Sequence, residues 1–230
     1  MTSFSLGRRI ASEALGTAFL LAVVVGSGIM GQRLSDGNDA LALLANAVAT
    51  GAGLVALISI FGPASGAHFN PVVTLAMLLR RAMAPAAAAA YAVAQTAGAV
   101  LGVWAAHAMF AEPILQISTK VRAGPAQIFS EGVATFGLIG TILAVSRFRP
   151  QFTPIAVGLY ITAAYWFTAS TSFANPAVTL ARMLSDTFAG IAPVSVPGFL
   201  LGQLTGALMA VATFGWLLGS ESAGTDTLPS

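Results

Sequence analysis

The chain has 230 residues, of which 57% are hydrophobic and only 8% charged, with ten Lys or Arg, eight Asp or Glu and two His. A mean hydropathy of +0.84 excludes an ordinary soluble domain, and a pI near 9.5 resting on so few scattered charges excludes a nucleic-acid-binding face. The absence of cysteine rules out disulfides and thiolate metal sites, and two histidines are too few for a metalloenzyme, so no cofactor or metal is expected.

Apolar runs at about 9–30, 41–61, 86–110, 127–146, 153–169 and 197–219 are each long enough, or nearly so, to cross a bilayer, and they predict six transmembrane helices. The first run follows Arg8-Arg9 and no cleavage site precedes Gln32-Arg33, so it reads as a retained helix and not a signal sequence. The fifth is the shortest and the most aromatic, with Tyr160, Tyr165, Trp166 and Phe167, a mixture typical of a lipid-facing belt or of packing. In a six-crossing arrangement Arg8, Arg9, Arg80, Arg81, Arg147 and Arg149 share one side and Arg33, Lys120, Arg122 and Arg182 the other. The basic excess puts both termini in the cytoplasm, and the chain is expected in the cell's inner (plasma) membrane. Residues 220–230 are small and polar and are expected to be a disordered tail.

Two short segments break this pattern: Asn70-Pro71-Val72-Val73-Thr74-Leu75-Ala76 and Asn175-Pro176-Ala177-Val178-Thr179-Leu180-Ala181. Asn caps orphan backbone N–H groups and Pro fits the first helical turn, so each copy starts a helix. The helices end near Arg80-Arg81 and Ser185-Asp186, too soon to span alone. Two such half-helices laid end to end, at about 1.5 Å per residue, fill one crossing of roughly 30 Å, provided the two halves of the chain are inserted in opposite directions. The repeat goes further. Ser12-Glu13 with Thr17 matches Ser130-Glu131 with Thr135, and Gln95-Thr96-Ala97-Gly98-Ala99 matches Gln203-Leu204-Thr205-Gly206-Ala207. Gly98 and Gly102, like Gly202 and Gly206, lie four apart on one helix face and allow close helix packing. One channel domain over 1–219 is expected, with repeats at about 8–110 and 127–219.

Glu13 and Glu131 are the only acids within the predicted spans, where a carboxyl group is costly unless partnered. They are either a proton relay or acceptors for the non-helical backbone ahead of each Asn-Pro box; buried irregular backbone requires such acceptors, which favours the structural role. At the centre, Asn70 and Asn175 have amide donors for a passing oxygen, and carbonyls at Gly66, Ala67 and His68 and at Ser172, Phe173 and Ala174 form a ladder of acceptors. The half-helix N-termini, each carrying about half a positive charge, repel cations.

The paired boxes and the matched halves resemble the major intrinsic protein family, the aquaporins and aquaglyceroporins, over nearly the whole chain, although the first box reads Asn70-Pro71-Val72 where the family usually has Ala. The resemblance implies an all-α membrane protein of six transmembrane helices plus two half-helices in an inverted repeat, a passive channel and not an enzyme, and a homotetramer in the bilayer. Water-selective members carry Arg directly after the second box; here that position is Val178, so the filter loses its fixed charge. Counting from the boxes assigns Ser172 and Thr50 to two further filter positions; for the fourth, alignment from Gly158 gives Tyr165, the preferred residue, whereas counting back from Asn175 gives Ala163. Such a filter is expected to pass small uncharged solutes larger than water: glycerol, urea or neutral metalloid acids such as arsenous acid. Arg182 either guards the outer mouth or pairs with Asp186, and His68 lies near the inner mouth. The rival readings are a secondary active transporter, which also uses inverted repeats, and a water-selective aquaporin.

Overall fold

Asparagine and proline set where the short helices begin. The computed structural model describes residues 4–219, so the tail expected over 220–230 lies outside the described residues. Within them the order is α1 (Leu6–Leu34), α2 (Asp39–Ser65), α3 (Pro71–Leu79), α4 (Pro85–Phe110), α5 (Pro125–Phe148), α6 (Thr153–Phe167), α7 (Pro176–Arg182) and α8 (Val196–Leu217), with no strand among the described residues. Asn38, Asn70 and Asn175 each cap the helix that follows with the side-chain oxygen, while Pro71, Pro85, Pro125 and Pro176 stand in first turns where a missing N–H costs nothing.

Among the described residues, five helices are long and apolar enough to cross a membrane. The fifth predicted crossing, α6, is a helix of only 15 residues that stops at Phe167, two residues before the expected boundary. Beyond it the chain runs through non-helical residues to the second box. Helix α7 also ends early, at Arg182 and not near Ser185-Asp186. The connector between α4 and α5 intercepts its last turn, with the Ser118 N–H bonded to the Met183 carbonyl at 2.8 Å. The half-helices are thus nine and seven residues, about 14 and 10 Å long.

The two halves pack alike. Helix α1 lies against α4 and α2, α5 against α8 and α6, and α2 meets α6 across the middle; α3 and α7 are held between α4 and α8. A Cβ at Gly102 would strike the Ala18 carbonyl, and one at Gly206 the Gly132 carbonyl, so at these crossings the backbones touch. Around the outside, Val93, Leu101, Phe129, Leu159, Leu201 and Trp216 are exposed, an apolar periphery suited to lipid. Enlarging either crossing glycine must therefore separate a helix pair that the pore needs. Gly206→Val is expected to abolish monodisperse protein on size exclusion in detergent, while Leu201→Val on the periphery leaves the elution profile unchanged.

Candidate functional site

The loops ahead of the two boxes carry the chemistry. In the first, Ala67 and Phe69 have φ of 48° and 49°; in the second, Thr171, Ser172 and Ala174 have 60°, 51° and 49°. Left-handed residues other than glycine cost on the order of 1–3 kcal/mol each, so something must hold them. Glu13 does so in the first half, its carboxylate accepting from the N–H groups of His68 (3.0 Å) and Phe69 (2.7 Å), from Ser65 Oγ (2.6 Å) and from Gln95 Nε2 (2.8 Å). Glu131 repeats the pattern with the N–H groups of Phe173 (2.9 Å) and Ala174 (2.8 Å) and with Gln203 Nε2 (2.6 Å). Each glutamine also donates to a half-helix threonine, Gln95 to Thr74 at 3.0 Å and Gln203 to Thr179 at 2.8 Å. Both carboxylates are fully buried and occupied with backbone. With the N–H groups turned toward an anion, as in any backbone nest, the loop carbonyls are left to face the other way.

Asn70 Oδ1 accepts from the Val72 N–H at 3.0 Å, and Asn175 Oδ1 from those of Ala177 (3.0 Å) and Val178 (3.3 Å). Their amide nitrogens cross to the opposite half: Asn70 Nδ2 donates to the Ala174 carbonyl and Asn175 Nδ2 to the Phe69 carbonyl, both at 2.8 Å. The two box tips therefore meet. One of each amide's two hydrogens is spent on this exchange, leaving one for a solute.

Beside the tips runs a cavity of about 310 Å³. Its apolar wall takes matching pairs from four helices: Leu20 and Val24 of α1, Leu54 and Ile58 of α2, Leu138 and Ile142 of α5, and Val157 and Ile161 of α6. Opposite are Gly66, Ala67, His68, Asn70, Ser172, Phe173 and Asn175. Ala174, expected on the acceptor ladder, does not line the cavity; its carbonyl is turned to Asn70. His68 lines the cavity with Nδ1 3.1 Å from Thr74 Oγ1.

At one end Thr50, Tyr165, Val178 and Arg182 close in, the Thr50 hydroxyl 3.2 Å from that of Tyr165. Ala163, the other residue counting allowed, is exposed on the far side of α6. Arg182 does not pair with Asp186, whose carboxylate accepts from the N–H and hydroxyl of Thr119. Instead its guanidinium lies over the Phe173 ring, 3.5 Å from the centroid. Arg122, on the connector between α4 and α5, is 5.2 Å from the same ring. Sequence reasoning gave Arg122 no role, because that connector has no counterpart in the repeat.

The family model described as Major intrinsic protein matches residues 1–174. The chain belongs to the major intrinsic protein family. It is 58% identical over 218 residues to the aquaglyceroporin AqpS of Rhizobium meliloti (strain 1021), covering 95% of this chain and 93% of that one, and 31% identical over 210 residues to aquaporin NIP2-2 of Zea mays, covering 88% and 70%. The fold matches the X-ray structure of the aquaglyceroporin from Plasmodium falciparum with a TM-score of 0.77, at 19% identity and over 93% of this chain and 97% of that one. As a member of the major intrinsic protein family the chain is a multi-pass membrane channel for small solutes, not an enzyme.

Two outcomes follow from this geometry. Glu131→Gln keeps the shape but turns an amide hydrogen toward backbone donors, so it is expected to cost about 2–3 kcal/mol, read as a lower thermal unfolding midpoint in detergent. Outside the membrane, Lys120 is the chain's single lysine. Its ammonium lies against Phe188, and desolvation there, then repulsion from Arg122 and Arg182, bring its pKa down to about 8 against the opposing pull of Asp39. Destabilising the charged form releases the proton at lower pH, so half-maximal acylation of the Lys120 peptide, followed by mass spectrometry, is expected near pH 8 and not near the ordinary ~10.4.

Proposed function

We propose that the channel conducts small uncharged solutes passively, including solutes larger than water such as glycerol, urea and neutral metalloid acids of the arsenous acid type. The observation that carries this is the unbroken cavity past both Asn-Pro tips, lined from Met77 and Ser146 at one end to Thr50 and Tyr165 at the other. A hydroxyl stripped of water with no partner costs roughly 2–7 kcal/mol. Replacement bonds come from the remaining amide hydrogens of Asn70 and Asn175 and from carbonyls of Gly66, Ala67, His68, Ser172 and Phe173, while the apolar wall offers nothing to cling to. Thr50, Tyr165, Ser172 and Val178 form the filter. Val at 178 leaves room beside the second box that Arg takes in water-selective members.

Cations meet the positive ends of two half-helices at the midplane, which opposes their passage. Glu13 and Glu131 serve the loops as structural acceptors; with every carboxylate oxygen engaged by fixed donors, neither is placed to carry protons for a coupled transporter. The name of the Rhizobium relative, an aquaglyceroporin, supports passage of solutes beyond water. Family membership supports a homotetramer in the plasma membrane, and the distribution of Arg supports cytoplasmic termini.

Stopped-flow measurements on proteoliposomes with water, glycerol, urea and arsenous acid test this reading. Flux down the gradient without current, and without dependence on a proton or sodium gradient, is expected. Val178→Arg should slow glycerol on the order of tenfold more than water, the effect of about 1.4 kcal/mol of added barrier. Concentrative uptake driven by an ion gradient would overturn the channel reading.

A further inference from the structure

Position 178 has lost a filter cation, yet a guanidinium lies in the same narrow region, reached from one turn further along α7. Val73 and Val178 occupy matching places after the two prolines, and so do Met77 and Arg182; all four line the cavity. The repeat thus ends its pore-facing stripe in Met on one side of the membrane and in Arg on the other. A long side chain on a helix leans back over the turn N-terminal to it, so Arg182 covers the level of Val178. Its guanidinium accordingly lies over Phe173, two residues before the box asparagine.

Burial and bonding separate Arg182 from its neighbour. Arg122 bonds all three side-chain nitrogens, to the carbonyls of Gly190 and Phe188 and to Thr171 Oγ1. Arg182 is only 2% exposed, and Nε donates to the Ala189 carbonyl, while Nη1 and Nη2 have no acceptor among the described residues. Ser172 Oγ, also lining the cavity, is buried without a partner. Arg182 moreover lines both the pore and an outer cavity of about 190 Å³ whose wall includes Asp39, Lys120 and Arg122, so it stands between the two.

Building on the channel reading above, we propose that Arg182 is the fixed cation of the outer constriction, donating from Nη1 and Nη2 to the oxygen of a passing neutral solute and turning away cations of the same size. The charge removed at 178 is restored from 182, one turn further along the half-helix, so the mouth is not uncharged.

Urea and guanidinium test this, because they are nearly isosteric and guanidinium stays charged at any working pH. The chain has no cysteine, so Arg182→Cys has a unique thiol. Wild-type proteoliposomes are expected to pass urea and reject guanidinium, and Arg182→Cys to raise the guanidinium-to-urea permeability ratio at least tenfold. Treatment with 2-aminoethyl methanethiosulfonate, which restores a cation, should return the ratio toward wild type; the ethyl reagent, which restores bulk alone, should not. Arg182→Lys should keep the wild-type ratio and Arg182→Met, copying Met77, should raise it. An unchanged ratio in variants that still pass urea, or equal rescue by both reagents, overturns this proposal alone. Wild-type vesicles no more permeable to urea than protein-free ones overturn the channel reading beneath it.

Discussion

A buried carboxylate drawing the backbone N–H groups of an irregular loop to one side is the interaction on which both halves of this channel depend. Backbone at membrane depth must be satisfied internally, and a loop that binds all its own polar groups offers nothing to a solute. Glu13 and Glu131 resolve the conflict by taking only the donors. Five left-handed non-glycine residues at about 1–3 kcal/mol each are the cost. Seven bonds to the two carboxylates, at about 1.5–3 kcal/mol each, are of a size to offset it.

The box asparagines complete the arrangement from the other direction. Each side-chain oxygen fixes the start of its own half-helix, and each amide nitrogen fixes the opposite loop, so neither tip is positioned without the other. Glutamine, threonine and glutamate recur in both halves at the same bonds. The frame around the pore is therefore two-fold in its chemistry, and what distinguishes the two mouths is added at its ends: Met77 against Arg182, and a connector bearing Lys120 and Arg122 that has no equivalent on the other side.

Much of this was legible beforehand because it is local. Asn-Pro before an apolar run specifies a capped helix wherever it occurs, and helix starts at 71 and 176 follow from that chemistry alone. The pairing of Glu13 with Glu131, and of Gly98 with Gly206, came from the repeat, since identical surroundings demand identical residues. Boundaries were less legible. Helix α7 ends three residues early, where the Met183 carbonyl just past it accepts from Ser118 of a distant connector, and no residue within α7 signals that.

Composition and duplication by themselves determined a membrane channel of several apolar spanning helices, two opposed half-helices and two buried acids. These follow from hydrophobic length and from caps, which act within a few residues. Only the tertiary structure decided that Tyr165 and not Ala163 faces the passage, that Ala174 turns its carbonyl to Asn70 instead of the pore, and that Arg182 lies over Phe173 instead of beside Asp186. Each of those depends on which surface of one segment meets another brought in from elsewhere in the chain, and the linear order of residues does not contain that angle.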